Sequence, residues 1–186
     1  MIQNSRDSWG WPTRALHWIV AVAVLGLFVH GLWMEELGRD QRGLQIWLHS
    51  AIGISLLVIA AAACVWWLVN RAPAEPPGTP PWQRHAASLV HSGLYLLIFA
   101  VTLSGWLLTG AMRVPIDVDL FGVISAPPPV SFGPGYHEVF EEAHEIFANV
   151  LIALASVHAA AALYHHFVLR DAVLWRMLGP KSKHEP

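Results

Sequence analysis

Four long apolar stretches, separated by short polar segments, set the plan of this chain. They run over residues 15–34, 47–69, 86–112 and 146–169, and none contains Asp, Glu, Lys or Arg. About 20 helical residues cross a hydrocarbon core of about 30 Å. In lipid every backbone N–H and C=O must find a partner inside its own segment or barrel, so stretches of this length are expected to be helices. The expected fold class is all-α, an integral membrane four-helix bundle forming a single domain over residues 1–186. The first stretch is too long for the apolar region of a secretory signal and lacks a small-residue cleavage site, so it is read as a span that stays in the protein.

The polar segments give the topology. Pro12 suits the first turn of a helix, where its missing N–H would have no partner anyway. The proline-rich segment 71–81 reads as a short connection between the second and third spans. The longest loop, residues 113–136, holds an APPP and an FGPG string and is expected to be an ordered cap. The tail at 180–186 is expected to fray. With four crossings, Arg6, Arg14, Arg71, Arg84, Arg170, Arg176, Lys181 and Lys183 fall on one side of the membrane. Only Arg39, Arg42 and Arg113 fall on the other, so both termini are expected to be cytoplasmic. The outer side is acidic, with Glu35, Glu36, Asp117, Asp119, Glu138, Glu141, Glu142 and Glu145. Trp9, Trp11, Trp33, Trp47, Trp82 and Trp175 fall near the interfaces, where an amphipathic ring is favoured.

Composition narrows the chemistry. The 186 residues are 55% hydrophobic and 13% charged, about half the charge of a soluble domain. A net charge of −2 without a basic tract argues against a nucleic-acid partner. The single cysteine, Cys64, lies in an apolar run and allows no internal disulfide. There is no Cys-x-x-Cys-His string, so covalent c-type haem attachment is excluded. What remains unusual is 11 histidines and 10 tryptophans.

Ionisable side chains in a hydrocarbon core are costly, which makes each one a functional candidate. His144, at the start of the fourth span, and His158 lie on roughly the same helix face, about 21 Å apart along the axis. Such a ladder suits two stacked haems, each iron needing a second imidazole from another helix at the same depth. His17 matches the depth of His158, and His49 that of His144. Gly53, one turn after His49, leaves room for a flat porphyrin, and Arg14, one turn before His17, suits a propionate. A rival pairing uses His30 in place of His49, and His91 competes with His17; spacing alone leaves these open. A bare metal ion fits less well, because zinc and iron sites usually add a carboxylate or cysteine and the spans contain no carboxylate.

The strings RALHW at 14–18, HSAIG at 49–53, HSGLY at 91–95, LSGW at 103–106 and HAAAALYHHF at 158–167, followed by Arg170-Asp171, resemble the bacterial cytochrome b561 family. The resemblance runs from about Trp11 to Leu178, and the loop at 113–136 is its least familiar part. It implies two haem b groups in a bacterial inner-membrane protein that exchanges electrons with the quinone pool. It favours His17 with His158 for the inner haem and His49 with His144 for the outer one. His30 matches no family position, and His91 matches a non-ligand position near a propionate or the quinone. His165 is implied as a quinone-site residue, with Arg84, His85 and Ser88 at the same depth.

The expected function is therefore transmembrane electron transfer between a periplasmic redox partner and ubiquinone. Within the family this includes superoxide:ubiquinone oxidoreduction. The acidic outer side opposes steering of an anion, although Arg39, Arg42 and Arg113 would make a local basic mouth. The alternatives are an anchor cytochrome for a periplasmic redox protein and a non-redox haem-carrying membrane module. Two bis-histidine sites leave no open coordination position, which suits electron transfer better than ligand release.

Overall fold

The computed structural model describes residues 1–76 and 78–179, with the side chains of Arg39, Asp40 and Pro134 left out. Lys181, Lys183 and the tail at 180–186, expected above to be cytoplasmic and frayed, lie outside the described residues, as does the side chain of Arg39. Four helices dominate: α1 (Trp11–Glu35), α2 (Arg39–Val69), α3 (Pro81–Ala111) and α4 (His137–Tyr164). All four are long and apolar enough to cross a membrane, α4 together with the π-helical turn His165–Leu169 that continues it. The helices overrun the apolar spans, because helix geometry continues into the polar flanks. Prolines open α1 and α3 in their first turns, as their missing N–H allows.

The apolar surface shows which solvent the bundle is built for. No residue of α1 is buried, and Val22, Leu25, Val29 and Leu32 are each more than half exposed. A continuous apolar belt of this kind would drive association in water and is satisfied by lipid tails. The chain is an integral membrane protein. Its small internal core pairs Ala60, Ile98, Val101 and Leu151, at the mid-depth of α2, α3 and α4.

Helix contacts are uneven in a way that matters for the site. α3 packs most extensively on α4, and α1 on α2 and α2 on α3 follow. α1 touches α4 sparingly. Gly93 allows the close α3–α4 approach, since a Cβ there would stand 2.9 Å from Leu154 Cδ2.

The α3–α4 loop is an ordered cap, as its length and prolines suggest, and it contains an antiparallel hairpin in an otherwise helical molecule. β1 (Val118–Leu120) pairs with β2 (Ile124–Ala126) in the register Val118↔Ala126 and Leu120↔Ile124. Phe121 and Gly122 take positive φ at the turn, where the Asp119 carboxylate accepts from Gly122 N–H. Val118 is fully buried against Ala51 and Ile54 of α2. Trp47 Nε1 donates to Asp119 O at 2.9 Å and Trp106 Nε1 to Pro127 O at 3.0 Å. The loop also seats on Gly110, where any Cβ would collide with the Val130 carbonyl.

At the other end, the N-terminal segment and the α2–α3 connection tie together. Asn4 Oδ1 accepts from Gly10 N–H and from Thr13 Oγ1, both at 2.8 Å. A short helix, α5 (Val173–Leu178), closes under this end, with Trp18 Nε1 donating to Met177 O and Arg176 to Ala74 O.

Candidate functional site

Six histidines gather in two groups of three. Toward the terminal end, His17 of α1 and His158 of α4 face each other with ring centroids 6.2 Å apart. His91 of α3 stands edge-on to His158 at 5.2 Å. Toward the hairpin end, His49 of α2 and His144 of α4 face each other at 6.0 Å, with planes at 74°. His30 of α1 meets His49 edge to edge, with ring centroids 5.6 Å apart and planes 16° apart. His30 thus lies against His49, and His91 against His158.

The His17–His158 and His49–His144 contacts bridge the loosely packed pairs α1–α4 and α2–α4, while His91–His158 and His30–His49 lie across the closely packed pairs α3–α4 and α1–α2. The rings of the two 6 Å pairs therefore span the wider openings of the bundle. Beside His49, a Cβ at Gly53 would meet nothing within 4 Å, so the glycine borders open space.

The hairpin-end pair is held by hydrogen bonds that the sequence does not display. His144 Nδ1 lies 2.9 Å from Val101 O, and a carbonyl can only accept, so this nitrogen carries the proton. Ser104 Oγ donates to the same carbonyl at 3.0 Å. Gly105 is the seat of this ring: a Cβ there would stand 2.9 Å from His144 Cε1. The string Leu103-Ser-Gly-Trp106 contains both residues, but nothing in it says that the glycine faces a histidine of another helix. His30 Nε2 lies 2.9 Å from Gln45 Oε1, and His30 Nδ1 lies 3.4 Å from His49 Nδ1.

The terminal-end group is less satisfied. His17 Nδ1 and Arg14 Nε are buried without a hydrogen-bond partner. Leaving one such group unpaired costs about 1–3 kcal/mol, and more for a charged one. Both atoms belong to residues whose chemistry suits haem, an imidazole for iron and a guanidinium for a propionate. The donor set at both ends therefore fits a bound haem.

Farther toward the terminal end, His165 begins the π turn and its Nδ1 meets Asp171 Oδ2 at 2.5 Å. Asp171 Oδ1 also accepts from Val173 N–H, capping α5. Arg170 takes a left-handed conformation, φ 52, which turns the chain so that Asp171 reaches back. His166 packs on Trp175. Arg84 pairs with Glu75 at 2.8 Å on the surface, and His85 Nδ1 donates to Pro81 O. On the opposite side, Arg42 is committed to α1, donating to Leu37 O and Glu35 O.

A membrane-spanning helical bundle that holds facing imidazole pairs in the gaps between its helices has the architecture of a membrane cytochrome. Comparison with known sequences sharpens that class: the family described as Prokaryotic cytochrome b561 matches residues 8–180, and the chain belongs to this family. It is 33% identical over 183 residues to "Cytochrome b561 homolog 2" of Escherichia coli, covering 96% of this chain and 95% of that protein. It is 30% identical to "Cytochrome b562" of Cereibacter sphaeroides, covering 89% and 92%. It is 27% identical to "Probable superoxide oxidase CybB" of Yersinia pestis, covering 90% and 93%. Membership in this family of membrane electron-transfer cytochromes implies haem b as the cofactor.

Proposed function

We propose that the protein carries electrons across the membrane through two haem b groups, between a donor on the hairpin side and ubiquinone at the terminal end. The observation that carries this reading is the pair of facing imidazole pairs, one toward each end of α4. The rings of these two pairs, 6.2 Å and 6.0 Å apart at their centres, leave room between them for a group that both imidazoles would hold. His17 with His158 would hold the inner group, and His49 with His144 the outer one. When bound, haem b supplies a one-electron carrier whose potential the axial ligands and their surroundings set.

The chain's own residues do the rest. The apolar helices exclude water from the sites. Arg14 offsets a propionate charge. The His165–Asp171 pair forms the terminal-end quinone site, where an imidazole with a nearby carboxylate exchanges protons with the quinone oxygens. The excess of basic residues near this end supports reading it, and both termini, as the cytoplasmic side of a bacterial inner membrane.

The donor side favours a protein. Asp117, Asp119, Glu138, Glu141, Glu142 and Glu145 are exposed around the hairpin and the start of α4, and Arg42 is tied to the end of α1. An acidic rim of this kind suits a basic periplasmic redox protein. The second reading, superoxide as donor, is favoured by the relative named a probable superoxide oxidase.

The purified protein is expected to hold two haems per chain with a low-spin bis-histidine spectrum, reducible anaerobically by a ubiquinol analogue. One haem per chain, or a high-spin oxidised form, defeats the reading. Under an enzymatic superoxide flux the protein-donor reading expects the haems to stay oxidised. Rapid reduction that ubiquinone reverses, and that slows as salt screens the field over about 10 Å at 0.1 M, selects superoxide instead.

A further inference from the structure

We infer that His30 is a positioning residue for the outer haem: through a Gln45–His30–His49 hydrogen-bond relay it fixes the His49 tautomer and strengthens His49 as a ligand. The inference rests on the reading of His49 as an axial ligand. His30 itself is set apart from ligation by its place, edge to edge with His49 through the two Nδ1 atoms.

The relay has one direction compatible with ligation. Gln45 Oε1 can only accept, so His30 Nε2 donates to it at 2.9 Å. Neutral His30 then carries no proton on Nδ1, which becomes an acceptor. The neighbouring His49 Nδ1, 3.4 Å away, is the donor in that contact. With its proton on Nδ1, His49 keeps the Nε2 lone pair free for iron. If the relay ran the other way, His49 would carry its proton on Nε2 and could not ligate through it.

The arrangement reproduces, from side chains, what the backbone does for the opposite ligand. His144 Nδ1 donates to the Val101 carbonyl, which likewise leaves Nε2 free. A haem ligand usually gives its second ring N–H to such a partner, which orients the ring and raises its basicity. At His49 no backbone carbonyl takes that proton among the described hydrogen bonds, and His30 stands in its place. A more basic ligand stabilises the oxidised iron, so the relay lowers the outer potential. The two rings meet edge to edge with planes 16° apart, so the hydrogen bond lies in both ring planes and fixes the orientation of His49.

The test uses the intact holoprotein in detergent or nanodiscs, with His49→Ala identifying which potential belongs to the outer haem. His30→Phe keeps a ring of similar size but removes the acceptor. His30→Asn places an amide oxygen close to the lost Nδ1. The expected result for His30→Phe is two haems per chain, an outer potential shifted upward, an unmoved inner potential and a changed low-spin electron paramagnetic resonance signal. His30→Asn should move the outer potential back toward that of the unmodified protein. An unchanged outer potential in His30→Phe, or a potential that stays shifted in His30→Asn, overturns the inference and leaves His49 as a ligand. Loss of the outer haem in His30→Phe while His49→Ala retains it makes His30 the ligand, and the ligand reading falls with the inference. Should His30→Phe fail to accumulate, Gln45→Leu puts the same question from the far end of the relay. It should raise the outer potential by a smaller amount, and no shift there also overturns the inference.

Discussion

The two histidine groups are alike in outline and unlike in support. Each has two rings about 6 Å apart with a third histidine beside one of them. At the hairpin end the Val101 carbonyl, Ser104, Gly105, His30 and Gln45 fix the rings before any cofactor is considered. At the terminal end His17 Nδ1 and Arg14 Nε have no protein partner, and none of the described hydrogen bonds reaches His158 or His91. A ring held by the protein is preorganised, whereas a ring with an unpaired buried nitrogen leaves part of its ordering to the ligand. The outer site is therefore expected to be the stiffer of the two, and the inner site the one that haem binding itself organises.

The most severe way to test the comparison is to remove one ligand from each group. His144→Ala and His158→Ala should each halve the haem content, from two per chain to one, read by pyridine haemochrome against protein concentration. His158→Ala should also loosen the bundle more, read as proteolysis of the α5 end. Equal susceptibility of the two variants breaks the comparison.

Next in size is Gly105→Ala. The added methyl would stand 2.9 Å from His144 Cε1, so the ring must leave its place under the Val101 carbonyl. The outer haem should be lost or turn high-spin while the inner haem stays, as separate redox titrations would show. A low-spin outer haem in that variant would mean the seat is not needed.

The terminal end can be probed for its reaction rather than its ligands. His165→Ala and Asp171→Asn should keep both haem spectra and slow reduction by ubiquinol by about 10²-fold or more, the usual contribution of a positioned proton-transfer group. Unchanged stopped-flow kinetics would move the quinone site elsewhere.

The smallest effect is expected from Arg14→Gln. A charge-assisted hydrogen bond to a buried group is worth about 1.5–3 kcal/mol, so inner haem should transfer to apomyoglobin about tenfold faster or more. The outer haem should be indifferent. If the outer haem is released just as much faster, Arg14 acts on the whole bundle and not on one site.

Much of this was legible in the chain. The four helices, their membrane setting and the family follow from four uncharged apolar runs and from strings such as RALHW and HSAIG. The depth matching of His17 with His158 and of His49 with His144 followed from helical rise alone. The helix limits were less legible, since α2 starts at Arg39 and α4 at His137, well outside the apolar spans. The hairpin has no legible signal in the sequence. Its strands have three residues each, too short for an alternating pattern to show, and buried Val118 depends on where α2 lies. Depth alone groups Arg84 with His165, and its ion pair with Glu75, from the α2–α3 connection, has no signal in the sequence.

What the sequence determined by itself is what depends on local composition and on one helix at a time. Lipid demands long uncharged helices, and a rise of about 1.5 Å per residue sets the depth of every histidine on them. What the tertiary structure decided is how those helices are rotated against one another. Rotation, not depth, separates His30 from His49 and His17 from His91. It also sets Gly105 beneath His144 and the Val101 carbonyl beside its Nδ1. Those relations join residues on different helices through a few ångströms of side-chain packing, and no period along a single chain encodes them.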